Sequence, residues 1–371
     1  MVDGAERMQA IPKCRATIAA VFVARLLAAL SAFWMATACA APSGGDQTKS
    51  PKVFATDGTL ALTLTAPWRE FMRNKSEKKR YPGTLEYVDE SGAKRSVPVA
   101  FEPRGKNRLK VCKLPPIKLI FDKQAIEGTP FRGNKSLKLS THCDSGERWE
   151  HYVFKEMLAY RIYNLVTERS FKLRPLSVTY VDSAGASPDG PHPGFLVEDD
   201  SEMAKRNHLE KLDIPRPNLE QLDSLQNSRF MLFEYLIGNT DFAQLAGPTA
   251  GRCCHNSVLI GASMQSTMFA VPYDFDSSGL VDAHYAVPNP VLKTSSNRER
   301  VFRGFCAHNA TLETARSEFL RLEAQILDLA RSESRLDAKS RESVSDYLSK
   351  GFGLLRDDEK FASDITAKCR K

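Results

Sequence analysis

Hydrophobic and polar positions divide the chain into two regimes. From residue 53 to residue 121, short alternating runs are separated by turn signals such as Asp57-Gly58 and Ser91-Gly92. That is the pattern of strands with one buried face. Residues 84–88 (TLEYV) and 94–101 read as a hairpin, with further strands at 117–121 (IKLIF) and 136–140 (SLKLS). A helical period follows from Trp149 to Val166. Val153, Met157, Tyr160 and Asn164 fall near one face, with Phe154, Leu158, Ile162 and Leu165 beside them. A stripe that wide predicts a helix packed on a sheet. Residues 176–181 and 194–197 read as strands around a Gly/Pro/Ser loop at 183–193. After Glu198 the pattern turns helical: 222–238 stops at Gly238-Asn239, and 312–331 and 341–355 are closing helices. Two short buried strands, 258–260 and 268–273, lie between them. The pattern predicts an α+β protein with a strand-rich first half and a mainly helical second half, its motifs gathered at the seam.

Composition changes this picture little. Of 371 residues, 42% are hydrophobic and 26% charged, an ordinary globular balance. The net charge of +7 is scattered, with no basic stripe interleaved with aromatics, so nucleic acid is not an expected partner. The N-terminus changes it more. Residues 1–38 read as an export signal, with basic residues ahead of an apolar stretch too short to span a bilayer of about 30 Å. Ala36-Thr37-Ala38-Cys39 fits a bacterial lipobox in which Cys39 is lipidated, giving a membrane-anchored envelope or periplasmic lipoprotein. Ala36 stands where Leu is usual, and Ala38-Cys39-Ala40 would equally serve a soluble secreted form. Residues 39–52 read as a flexible tether.

Export makes the cysteines candidate disulfides. Cys112 and Cys143 flank strand-like segments and could pair across a sheet, and Cys253 or Cys254 could meet Cys306; free buried thiols are the alternative. The Cys253-Cys254-His255 run offers zinc ligands, but no second ligand pair has metal-site spacing.

The chemistry gathers in FEYLIGNTDF (233–242), CCHNSVLI (253–260) and FAVPYDFDSSG (269–279). Asp241 ends an apolar helix, Asn256 opens a strand, and Asp274 and Asp276 follow a second strand. Alternation puts both carboxylates on one side with Phe275 opposite. Two like charges on one face repel unless a cation or a basic partner lies between them. Carboxylate and amide oxygens suit a hard ion such as Mg²⁺. Taken singly, Asp241 after Asn239 also reads as a turn residue, Lys138 as an exposed strand lysine, and His142, His151, His255 and His284 as surface or core histidines.

Together with RGKNR (104–108), FRGNKSLKLSTHCD (131–144) and GFLVEDD (194–200), these segments resemble the spore-coat CotH-type kinase-like proteins over roughly residues 100–280. The resemblance implies a two-lobed, atypical protein-kinase-like fold. Its strand-rich N-lobe would span 53–200 and its helical C-lobe 201–371, with ATP in the cleft. It implies Asp241 as the base orienting an acceptor, Asn256 as a metal ligand, and Asp274 or Asp276 as the main metal carboxylate for Mg²⁺ or Mn²⁺. Lys138 would contact phosphates and be oriented by Glu156, Arg104 would lie on the loop over the phosphates, and Glu198 near the strand joining the lobes. This chain departs from the kinase pattern in three ways: a fourteen-residue interval (242–255) between Asp241 and Asn256, DFD in place of DFG, and no Gly-rich loop before Lys138.

The expected function is an exported phosphotransferase moving a phosphoryl group from a nucleotide to a protein, sugar or other envelope acceptor. The alternatives are a catalytically retired binding lipoprotein of the envelope and a metal-dependent phosphoester hydrolase.

Overall fold

The strands of the first half close on themselves. The computed structural model describes residues 52–247 and 252–371, which belong to one compact unit. The first six strands are β1 (Leu60–Ala66), β2 (Tyr81–Val88), β3 (Lys94–Pro103), β4 (Ile117–Phe121), β5 (Ser136–Ser140) and β6 (Leu173–Asp182). With β7 (Asp189–Val197) they form a closed barrel in the order β1-β2-β3-β4-β5-β7-β6. Neighbours run antiparallel except at the seam, where β1 pairs in parallel with β6 from Leu60↔Leu176 to Ala66↔Asp182.

That seam overturns the two-lobed, kinase-like architecture. The strands do not form a separate open-sheet lobe; parallel pairing of β1 with β6 removes both free edges and makes a barrel. The structural reason lies far apart in the chain, where no local pattern announces it. The loop expected at 183–193 is also shorter than expected. Its second half is strand, because Ser177, Val178 and Tyr180 continue the β6–β7 pairing as far as Asp189.

Period-two alternation fills the barrel. Leu137 and Leu139 of β5 point inward, as do Val97, Val99 and Phe101 of β3. The helix α1 (Trp68–Arg73) packs against this core: Trp68 lies 4.9 Å from the Phe101 ring and 5.2 Å from that of Tyr180. On β7, Leu196 faces the barrel core while Phe195 and Val197 belong to a second, larger core. The β5–β7 wall therefore has a greasy inner face and an outer face against the helices.

The second core surrounds α3 (Glu147–Val166), which follows the five-residue α2 (Asn107–Val111) in chain order. Beyond α4 (Asp200–Arg206) lies α5 (Ser224–Ile237), which is apolar around most of its circumference and correspondingly buried. The Asp223 side chain caps its start by accepting from Gln226 N. The three-stranded sheet β8 (Glu210–Leu212), β9 (Ser257–Gly261) and β10 (Met268–Pro272) runs in the order β10-β9-β8. The amphipathic helices α6 (Leu312–Arg331) and α7 (Ala338–Arg356) close the unit.

Three disulfides are present among the described residues. Cys112–Cys143 forms, as the sequence allows. The candidate link from Cys253 or Cys254 to Cys306 does not: Cys253 bonds Cys254, and Cys306 bonds Cys369. The C-terminus runs beside Cys306, with Cys306 N donating to Arg370 O and Arg370 N to Gly304 O, so Cys369 is the nearer partner. With both sulfurs oxidised, the Cys253-Cys254-His255 run offers no thiolate to zinc. No helix among the described residues is long and apolar enough to cross a membrane. The export signal, Cys39 and nearly all of the 39–52 tether lie outside the described residues.

Candidate functional site

The outer face of the β5–β7 wall and α3 bound a narrow cleft lined by both charges and aromatic rings. Because Leu137 and Leu139 face the barrel, Lys138 and Ser140 must face α3, where Glu156 and Tyr160 lie one helical turn apart. Arg104 enters from the turn after β3 and Arg108 from α2, while Tyr273 and Asp274 follow the end of β10.

Arg108 organises the floor. Its Nη2 donates to Asp274 Oδ1 at 2.8 Å and its Nη1 to Ser140 Oγ at 3.0 Å and Glu156 Oε2 at 3.3 Å; its Nε lies 3.1 Å from Asp276 Oδ2. The basic partner that two aligned carboxylates require is therefore supplied by the chain itself. One buried cation faces three carboxylates, and their protons respond. Burial pushes Glu156 up to about 7, against the pull of Arg108. Burial likewise raises Asp276, aided by the charges of Asp274 and Asp241. On Asp274 burial acts upward, but Arg108 and Arg104 outweigh it and hold that carboxyl below its ordinary value.

Phe275 is driven into the second core, 4.6 Å from Tyr160 and 5.2 Å from Phe233. This anchors the two flanking aspartates toward Arg108. Asp274 adopts left-handed backbone (φ 66°), and its N–H donates to Tyr160 Oη at 2.9 Å. Asp and Asn tolerate that conformation better than other side chains with a Cβ.

Asp241 lies outside the cleft lining, and its charge is felt by Asp276. Gly238 ends α5 with φ 65°, and a Cβ there would lie 1.9 Å from the Tyr347 hydroxyl. The chain then turns: Asn239 Oδ1 accepts from Asp241 N, and Arg303 Nη1 donates to the carbonyls of Thr240 (2.6 Å) and Phe242 (2.7 Å) on either side. His255 Nε2 is 2.8 Å from Asp241 Oδ1, and Asn256 Nδ2 donates to Asp241 O at 2.7 Å and to Oδ2 at 3.3 Å. The His255–Ala243 backbone pair holds these segments together. The Asp241 side chain remains 50% exposed, so a fixed carboxylate faces solvent.

Other expected site residues are placed differently. Lys138 reaches the cleft but pairs with Asp200, which also meets Lys211 at 3.0 Å; it does not pair with Glu156. Arg108 has that partner instead. Glu198 is fully buried and lies outside the cleft lining. Its carboxylate is bound by Arg206 and by the Lys172 N–H, fastening α4 to the start of β6. Sequence reading placed Arg108 only within a basic turn and gave His255 no role beside Asp241. The adjacency of His255 to Asn256 was the available signal.

The donor set fits a hard cation in part. One oxygen of Asp274 is bound to Arg108, while the side chain stays 31% exposed; the Asn256 amide donates through its nitrogen, leaving its oxygen as a ligand. Among the described residues, the three His, Cys, Asp or Glu side chains whose ligand atoms converge within 4.8 Å are instead Glu147, His151 and Asp337. There Asp337 caps α7 and His151 Nδ1 meets Ser340 Oγ. No protein-family model matches the chain, and no curated protein matches it.

Proposed function

We propose that this chain is a phosphotransferase that moves a phosphoryl group from a nucleotide to a hydroxyl acceptor. The observation that carries the reading is the Asp241 carboxylate, half exposed yet fixed by His255 and Asn256, and near enough for its charge to raise Asp276 beside the cleft that bears Arg104 and Lys138. A base positioned beside cationic phosphate anchors is what in-line transfer needs. The acceptor oxygen attacks the terminal phosphorus as the bridging P–O bond breaks. Its proton passes to Asp241, and the nucleoside diphosphate departs with the bond's electron pair. The phosphate chain would lie over the cleft's opening, facing Arg104 and Lys138, with the nucleoside beyond it. Mg²⁺ or Mn²⁺ would be held by Asp274 and the Asn256 oxygen and would neutralise phosphate charge. The resemblance of the GNTDF, HNSVLI and VPYDFDSSG segments to CotH-type proteins supports the same chemistry. Export and a lipid anchor at Cys39 would put it in the cell envelope.

One observation favours a second reading. Arg108 already neutralises Asp274 and Asp276, as in an envelope protein that binds its ligand without metal or turnover. Thermal shift with ATP, in the presence of Mg²⁺, Mn²⁺, Ca²⁺ or no metal, separates the two. Phosphotransfer predicts an ATP shift that needs Mg²⁺ or Mn²⁺ and is lost in Asp274→Ala. No metal-dependent shift leaves the binding protein.

A further inference from the structure

The starts of α3 and α7 meet at a group of side chains that lines no part of the cleft. Glu147 and His151 stand one turn apart on α3, and Asp337 is the N-cap of α7; one ligand atom from each lies within 4.8 Å of the other two. We propose that these three residues bind a divalent transition ion of the zinc type, which ties α7 to α3.

The two carboxylates alone would call for no ion, because acidic groups at helix starts complement the helix dipole. His151 is what they leave unexplained. It is about nine-tenths buried, yet its Nε2 stands 3.5 Å from Glu147 Oε1, beyond the roughly 2.7–3.2 Å of a good N–H···O bond. Ser340 decides which ring nitrogen is available. Its N–H donates to Asp337 Oδ1 at 2.6 Å, and its hydroxyl lies 3.2 Å from His151 Nδ1. The backbone N–H of Ser340, and then its hydroxyl, hold the Asp337 carboxyl below its ordinary value, so the hydroxyl gives its proton to that carboxylate. Having only one proton, it must then accept from Nδ1–H. The neutral ring is left with its Nε2 lone pair facing two carboxylates, which repels unless a cation lies between them. A group accepting from one ring nitrogen while the other binds metal is the usual support of a histidine ligand.

Geometry and donor type select the ion. Two ligands about 2.1 Å from a tetrahedral ion stand about 3.4 Å apart, close to the separation of Glu147 and His151. A carboxylate has two oxygens, so Asp337 can keep Oδ1 on its cap and offer the other. An imidazole between carboxylates suits Zn²⁺ or Co²⁺, whereas Mg²⁺ and Ca²⁺ take oxygen ligands and Cu⁺ takes sulfur. The neighbouring cations are engaged elsewhere: Arg148 donates to Tyr152 Oη at 2.7 Å, Lys155 to Val281 O at 3.5 Å, and Arg341 to Leu336 O. Three protein ligands leave a fourth position to water. Because α3 also carries Glu156 and Tyr160, the ion would brace the helix that backs the cleft.

The inference is independent of phosphotransfer, and its test uses the whole chain after treatment with a chelator. Zn²⁺ is titrated by calorimetry and Co²⁺ by its visible absorption. One equivalent is expected to bind saturably and to raise the melting temperature, with Mg²⁺ and Ca²⁺ unable to displace it. The Glu147 side chain is 74% exposed, so Glu147→Gln spares the fold; it should weaken Zn²⁺ binding at least about tenfold and remove the rise in melting temperature. Ser340→Ala takes away only the hydroxyl behind the ring and should weaken binding about ten- to hundredfold. Asp241→Asn and Asp274→Asn should leave it unchanged. The proposal is overturned if no equivalent saturates, if Glu147→Gln and Ser340→Ala both bind like the parent chain, if Asp241→Asn or Asp274→Asn loses the ion, or if Mg²⁺ or Ca²⁺ displaces it.

Discussion

The Arg108 guanidinium lies 3.3 Å from the Glu156 carboxylate, joining the short helix α2 to the long helix α3 beneath the cleft. Both side chains are almost wholly buried, and the same guanidinium reaches Asp274 and Asp276. A single cation thus ties the barrel's outer turn to the metal-candidate loop.

Removing that cation should be costly. Arg108→Met leaves the buried Glu156 and Asp276 carboxylates and the part-exposed Asp274 without their shared counter-ion and is expected to destabilise the fold by about 3–5 kcal/mol. Arg108→Lys keeps the charge but not the fork of donors, and should fall between the two. Urea unfolding at neutral pH measures both. A loss under roughly 1 kcal/mol for the Met variant would mean that the carboxylates are already protonated.

Glu156 should make stability fall as pH rises. Its folded value, about 7, is above the ordinary 4.5, so the native state holds a proton that the unfolded chain releases. The stabilisation is complete below about 4.5 and is lost as pH climbs through about 7. Asp276, also raised, adds the same sign, and Asp274, lowered, opposes it. Glu156→Gln mimics the protonated form. Its melting temperature should decline less than the parent's between about pH 5 and pH 8. Parallel declines would show that Glu156 does not titrate in that window.

Asp241→Asn separates chemistry from folding. The side chain is half exposed, and its backbone is held independently by Asn239 and Arg303, so the melting temperature should barely change. Phosphoryl transfer to an acceptor should drop at least about a hundredfold, the lower range for a lost general base. Nucleotide binding should survive. Retained turnover in this variant removes Asp241 from the reaction.

The Cys306–Cys369 bridge closes the longest covalent loop among the described residues, with a sequence separation of 63. In the chain-entropy account, a loop of that size is worth about 4 kcal/mol. A Cys306→Ser/Cys369→Ser variant should lose stability on that scale in urea, with Asp241 chemistry intact. Equal stability of the parent chain and the variant would mean that the bridge is not formed in solution.

Local pattern revealed some parts of this molecule well. The β2–β3 hairpin follows directly from alternation around Ser91-Gly92, and Phe275 does lie opposite two aspartates that face one way. The cation between those aspartates was not legible, because Arg108 is 166 positions from Asp274 and sits in a helix of five residues. Lys138 taken singly reads as an exposed strand lysine and had a cleft role only through the resemblance; it does line the cleft, but its partner Asp200 lies on a different element from the expected Glu156. Barrel closure was invisible for a related reason. Alternation says which face of β1 is buried but not which strand it will meet.

The parallel seam also sets an order of assembly. β1 can complete its pairing only after β6 has been made, because its partners run from Leu176 to Asp182. Until then one of its edges stands open beside the β2–β3–β4 meander, with backbone groups free to pair wrongly. Closure of so distant a contact is entropically slow, and it falls late in the folding of this half. A nascent chain cut short before β6 would thus hold most of the barrel's strands and still lack a barrel, a sticky ribbon that a chaperone would have to shield.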